Sequence, residues 1–154
     1  MAAFPAIEEL LPHRGAMLLI DSVLSGDENS IVVEATLPET AWYLDEQGAM
    51  PAWIGIELMA QAIAAHTGLK GRLRGEPPKR GVLLGTRAYQ SRLSSFRPGA
   101  PLQISARITY MDEGGFGAFD CTIRNRMSEE LASATLKVFE PGDFEAFIAQ
   151  QGGS

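Results

Sequence analysis

Three residues of this 154-residue chain decide what chemistry it could do: one acid in an apolar stretch and two histidines. The acid is Glu57, inside residues 50–68, MPAWIGIELMAQAIAAHTG. A carboxylate among apolar neighbours is costly unless it is hydrogen-bonded, paired or protonated, and a protonated one can act as a general acid. His66 follows Glu57 by nine positions; at about 100° per residue that puts it on the opposite side of a helix. His13 lies far upstream in Leu11-Pro12-His13-Arg14. The single cysteine, Cys121, has no partner for an internal disulfide, and two histidines give no metal-ligand spacing, so no metal is expected.

The elements that must position Glu57 can be read from periodicity. Ile54, Ile56, Leu58, Met59, Ile63 and several alanines are spread around the whole circumference of a helix that starts at Pro51. Such a helix should be buried on nearly all sides and needs a wrapper. It is predicted to end at Gly68, with His66 in its last turn, where the carbonyl end of the dipole favours a partly cationic imidazole. Upstream, residues 5–11 suit a short helix, residues 17–24 and 31–37 suit strands around a turn at 25–30, and 38–48 is irregular. In the second strand Val33, Ala35 and Leu37 share a face. Downstream, a polar connection at 70–80 leads to strands over 81–91, 101–111, 116–125 and 131–139, with Leu102, Ile104, Ala106, Ile108 and Tyr110 on one face of the second. Residues 143–150 suit a short terminal helix. The reading is an α+β single domain over 1–154: a curled antiparallel sheet wrapped around one long apolar helix. A single layer leaves a free sheet edge, so self-association or pairing with a similar chain is expected.

Composition narrows the class. With 45% hydrophobic residues and a mean hydropathy near zero, the chain suits one globular domain. Glu57, Gln61 and His66 interrupt the apolar segment, and the start of the chain lacks a basic region followed by an apolar one, so no membrane insertion and a cytoplasmic location are expected. The net charge of −6 is unevenly spread. Lys70, Arg72, Arg74, Lys79, Arg80, Arg87, Arg92 and Arg97 stand against one acid, Glu76, so this stretch carries +7 and the remainder −13. That asymmetry argues against nucleic-acid binding; it fits either a solvated face or a local docking patch for an acidic partner.

Leu11-Pro12-His13-Arg14 followed by Met17-Leu18-Leu19-Ile20-Asp21, then Met50-Pro51 through Glu57-Leu58-Met59-Ala60-Gln61, then Phe96-Arg97-Pro98-Gly99, resembles the β-hydroxyacyl-acyl-carrier-protein dehydratase family. The WIGIELMAQAIAA wording is similar in particular to the divergent dehydratase-like proteins of bacterial aryl-polyene pathways. The resemblance implies a hot-dog fold and a dimer whose site draws a histidine from one subunit and a helix carboxylate from the other. Histidine removes the proton beside a thioester carbonyl; the acid helps the 3-hydroxyl leave as water. Glu57 matches the carboxylate, Pro51, Ala52, Trp53 and Gln61 fall at the substrate, and His13 matches the family's structural Pro-His-Arg motif, where a turn or cap role is expected rather than catalysis. The resemblance also implies an acyl carrier protein as partner, with the substrate on its phosphopantetheine and no cofactor of the chain's own. Lys70, Arg72, Arg74, Lys79, Arg80 and Arg97 are then docking candidates, and Trp53, Ile54 and Met59 could wall an acyl tunnel or be ordinary core.

The chain departs from that pattern at the base. Counting back from Met50-Pro51 puts Tyr43 where the family's histidine belongs, the loop prolines are absent, and Ala52 replaces the glycine that opens the helix. Tyr43, with an ordinary pKa of about 10, is a poor base near neutrality. Three readings follow: Glu57 completes a composite site with a partner subunit that brings histidine, in a heterodimer; a homodimer has altered chemistry such as acyl thioester hydrolysis; or the chain is a non-catalytic acyl-chain binder or scaffold.

Overall fold

The computed structural model describes residues 4–75 and 81–140. Among these residues, eight strands and one long helix follow in order: β1 (Ser22–Gly26), β2 (Ser30–Thr36), β3 (Met50–Pro51), α1 (Ile54–Leu73), β4 (Val82–Ser91), β5 (Ser95–Phe96), β6 (Pro101–Met111), β7 (Phe116–Arg124) and β8 (Glu130–Phe139). Six strands form one antiparallel sheet in the order β1-β2-β6-β7-β8-β4, and β3 pairs with β5 beside the start of α1. The expected α+β architecture is present: α1 packs on the inner face of the sheet.

Alternation produces that core. Ile31, Val33 and Ala35 of β2 face Ala106, Ile104 and Leu102 of β6 in register, and all six are buried. From α1, Ile54, Leu58, Met59, Ala62, Ala65 and Leu69 close on them, with Phe119, Ile123 and Leu136 beneath. Each fully buried Leu, Ile or Phe side chain contributes about 1.5–3 kcal/mol by leaving water. A register shift between Ile108 and Tyr110 ends the alternation in β6, and Tyr110 is exposed rather than in the core.

Two expectations about the helix are corrected. It runs to Leu73, five residues beyond Gly68, because Gly68 serves packing rather than capping: a Cβ there would stand 2.0 Å from the Leu10 carbonyl oxygen. Gly75, at φ +68°, follows the Arg74 C-cap and supplies the left-handed turn that ends the helix. The helix is also not buried all round. Trp53 is exposed, and Ile56, Glu57, Ala60 and Ala64 are half-buried, which makes one uncovered stripe at helical spacing.

The N-terminal helix is only a 3-10 turn, Ile7–Glu9. A second such turn, Gly15–Met17, stands where a strand was expected to begin. Arg14 binds this segment together, donating from Nη1 to the Leu11 and His13 carbonyls and from Nη2 to that of Glu8. The terminal helix expected over 143–150 lies outside the described residues.

Candidate active site

The part of the uncovered stripe from Glu57 to Ala64 lies on the floor of a groove of about 800 Å³. Glu57, Ala60, Ile63, Ala64 and Thr67 line it from the helix, Leu10 to Arg14 form one wall, and the ends of β4 and β8 form the other. The two alanines make the floor low, which leaves the volume open.

Glu57 is held at this groove by a network rather than by burial. Its side chain is 39% exposed, so it is not the enclosed acid that an all-round apolar helix implied. Gln61, one turn along, donates from Nε2 to Glu57 Oε1 at 2.9 Å. Gln61 is itself fully buried, accepting from the Leu19 amide at 2.8 Å and donating to the Met17 carbonyl at 2.7 Å. Because its oxygen is taken by a donor, its amide nitrogen must face both Met17 and Glu57, which fixes the orientation of the group. The Gly15–Met17 turn and the strand-like run after it thus clamp the acid through one glutamine.

His13 completes the arrangement. Its Nε2 lies 3.7 Å from Glu57 Oε1, and its Nδ1 is buried without a partner among the described residues. A hydrogen on Nδ1 would be a buried donor with no acceptor among the described residues, so the geometry favours a hydrogen on Nε2, the nitrogen that faces Glu57. Nδ1 is turned into protein, away from the groove. Sequence reasoning assigned His13 a turn role, and Arg14 is what performs that role; only the tertiary fold brings the His13 ring to Glu57.

The family model for ApeP-like proteins, described as ApeP dehydratase, matches residues 5–149. The chain belongs to the ApeP-like dehydratase family. Among solved structures, it is similar to the dehydratase heterocomplex ApeI:P from Xenorhabdus doucetiae, at 28% identity and TM-score 0.85, with 94% of this chain and 96% of that chain covered. It also resembles a hypothetical thioesterase with coenzyme A from Streptococcus pneumoniae TIGR4 (16% identity, TM-score 0.62, 79% and 86% covered) and the E. coli PaaI protein from the phenylacetic acid degradation operon (20%, 0.60, 76% and 80%). At those identities the last two show the fold alone, which is the hot-dog fold. No curated protein sequence matches the chain.

The other candidate residues of this ApeP-like chain are dispersed. Tyr43 is buried in the core against Trp42, and burial, followed by the nearby charge of Asp21, pushes its phenol above the ordinary value. It does not line the groove. Pro51 pairs with Ser95 across β3 and β5, and the Ala52 amide donates to the Ser94 carbonyl. The Ala52 carbonyl accepts from the Tyr89 hydroxyl, which lies so close to Gly55 that a Cβ there would clash with it. Trp53 is exposed at the head of the uncovered stripe, whereas Ile54 and Met59 are core.

The basic residues divide between the two ends of α1. Arg72 pairs with Glu9 at 2.9 Å and Arg74 with Glu28 at 3.4 Å, at the end of the helix about 22 Å from Glu57 by helical rise. Arg97 follows β5, near the start of α1, and has no ion pair among the described residues. Lys79 and Arg80 lie outside the described residues.

His66 is buried inside the helix, not at its last turn. Its Nε2 lies 3.0 Å from the Asp27 carbonyl, and desolvation, reinforced by the charge of Lys70, lowers its pKa. Burial pushes the Cys121 thiol up to about 12, so it stays protonated and inert. Among the described residues no group of His, Cys, Asp and Glu could hold a metal, and no helix is long and apolar enough to cross a membrane.

Proposed function

We propose that this chain is the glutamate-donating subunit of a two-chain dehydratase acting on 3-hydroxyacyl thioesters carried by acyl carrier protein. One observation carries the reading: Glu57 is fixed by Gln61 at an open groove, while Tyr43, at the position of the family's histidine, is buried and does not line that groove. On this reading the chain brings the acid, and the base comes from its partner. In the reaction a histidine of the partner subunit removes the proton at C2, the C3–O bond breaks, the C2=C3 bond forms, and Glu57 gives its proton to the leaving hydroxyl, which departs as water. The acyl chain lies along Ala60, Ile63 and Ala64.

Two further features support a partner chain. The helix stripe from Trp53 to Ala64 is uncovered, and β4 is a ten-residue edge strand with Leu83 and Leu84 exposed. The similarity to a chain from a dehydratase heterocomplex points the same way. For the carrier, Arg97 is the favoured docking residue, since it is exposed and stands at the Glu57 end of the helix.

The test is reconstitution. Purified alone, the chain should not dehydrate a carrier-bound 3-hydroxyacyl substrate; mixed with a histidine-bearing dehydratase subunit it should raise the rate above that of either chain. Dehydration by the chain alone at the rate of the mixture overturns the reading. Thioester hydrolysis by the chain alone, lost in Glu57→Ala, would identify a thioesterase instead.

A further inference from the structure

We propose that His13 is a positioning residue for Glu57, acting with Gln61 to assign the transferable proton to one carboxyl oxygen. The inference rests on the dehydratase reading above. A carboxylic acid has two oxygens, and only a proton on the oxygen facing the substrate can reach the leaving hydroxyl. Rotation about the Cγ–Cδ bond exchanges the two. An acid left free to rotate spends part of its time with the proton turned toward protein.

The groove holds a device that breaks this symmetry. Oε1 accepts the Gln61 amide at 2.9 Å, and His13 Nε2 faces the same oxygen at 3.7 Å. The Gln61 amide cannot flip, because its own oxygen accepts the buried Leu19 amide. The neutral His13 ring cannot present a lone pair to Oε1 without placing a buried, unsatisfied N–H at Nδ1. Both groups therefore present hydrogens to Oε1, and a proton on Oε1 would meet them head on. In the acid form that the dehydratase reading requires, the proton is therefore placed on Oε2, which has no hydrogen-bond partner among the described residues and is the oxygen left for substrate. The 3.7 Å separation is an electrostatic contact in the single chain; a shift of well under 1 Å brings it within hydrogen-bonding range.

The mounting of His13 fits this role. Arg14 grips the carbonyls of Glu8, Leu11 and His13 itself, so the backbone that carries the ring is tied at three points. Gly68 lets the Leu10 backbone lie directly on α1 and sets the height of this wall above the helix. The ring is delivered to Glu57 by a segment whose own contacts hold it there.

The experiment uses the reconstituted two-chain complex and compares His13→Gln, which offers a neutral N–H near the Nε2 position, with His13→Leu, which offers none. His13→Leu should lower kcat about tenfold with KM within about twofold, the signature of an interaction that matters in the transition state. His13→Gln should recover most of that loss. Equal damage in the two variants means that the ring must exchange protons, and overturns the proposal; so does an unaltered kcat in His13→Leu, or a loss confined to KM. If His13→Leu does not fold, His13→Ala carries the same expectation. A complex with Glu57→Gln is measured alongside: if it keeps full activity, it is the reading of Glu57 as the acid that fails, whatever the His13 variants do.

Discussion

Replacing Gln61 with leucine should unfold the chain far more readily than removing the acid it holds. Gln61 makes three hydrogen bonds, and two of its partners, the Leu19 amide and the Met17 carbonyl, belong to the segment that crosses α1. Leucine fills a similar volume but leaves both backbone groups unpaired beneath the helix, at about 1–3 kcal/mol for each. The expected loss is about 2–5 kcal/mol, or about 5–15 °C in Tm for a domain of this size. Glu57→Ala removes a half-exposed group whose glutamine partner keeps its other two bonds, so it should cost about 1 kcal/mol or less. Urea unfolding of the three proteins separates these outcomes, and the reconstituted dehydration assay should report both variants as inactive. If Gln61→Leu and Glu57→Ala are equally stable, the clamp on Glu57 does not exist as described.

Three other outcomes follow from the same structure. Gly68→Ala should destabilise by about 1–3 kcal/mol or more, since its Cβ meets the Leu10 carbonyl, and should loosen the groove wall; thermal unfolding and limited proteolysis near residues 8–14 report it. Because the folded pKa of His66 is lowered, the unfolded chain takes up its proton first, so stability should fall as pH drops below about 6.5 and level off below the folded value. His66→Gln should flatten that slope in urea midpoints taken at intervals from neutral pH downward. Arg97→Glu should weaken carrier binding and reduce its dependence on salt, whereas Arg72→Glu, whose wild-type cation is already paired with Glu9, should change it less.

The sheet was legible because its strands obey a two-residue period: β2 and β6 fall within a residue of their expected ends, and the expected strand over 116–125 is β7 to within one residue. The helix was legible as an element but not in its exposure. Its apolar residues occur on every side, and periodicity cannot tell a face buried by the chain's own sheet from one left for another chain. Gly68 misled for a related reason: a glycine that admits a neighbouring backbone and a glycine that ends a helix have the same letter, and only the position of Leu10 distinguishes them.

Of the candidate site, Glu57 was singled out because an acid in an apolar run stands out; Gln61 was expected at the substrate, and the structure instead buries it outside the groove lining, where it holds Glu57. His13 sits 44 residues before Glu57, and no local pattern relates them. The resemblance to a known motif assigned it to a turn, which is the work of Arg14. The basic residues were grouped by their nearness in sequence. A helix about 30 Å long then separates Lys70, Arg72 and Arg74 from Arg97, which a linear count of charge does not register.

The most direct test of the composite site is Glu57→Gln in the assembled two-chain complex, followed by carrier-bound 3-hydroxyacyl dehydration. Loss of a general acid lowers rates by about 10²–10⁴-fold. The account predicts a fall in that range with the mass of the complex unchanged; a complex that keeps its full rate with glutamine at position 57 would contradict it.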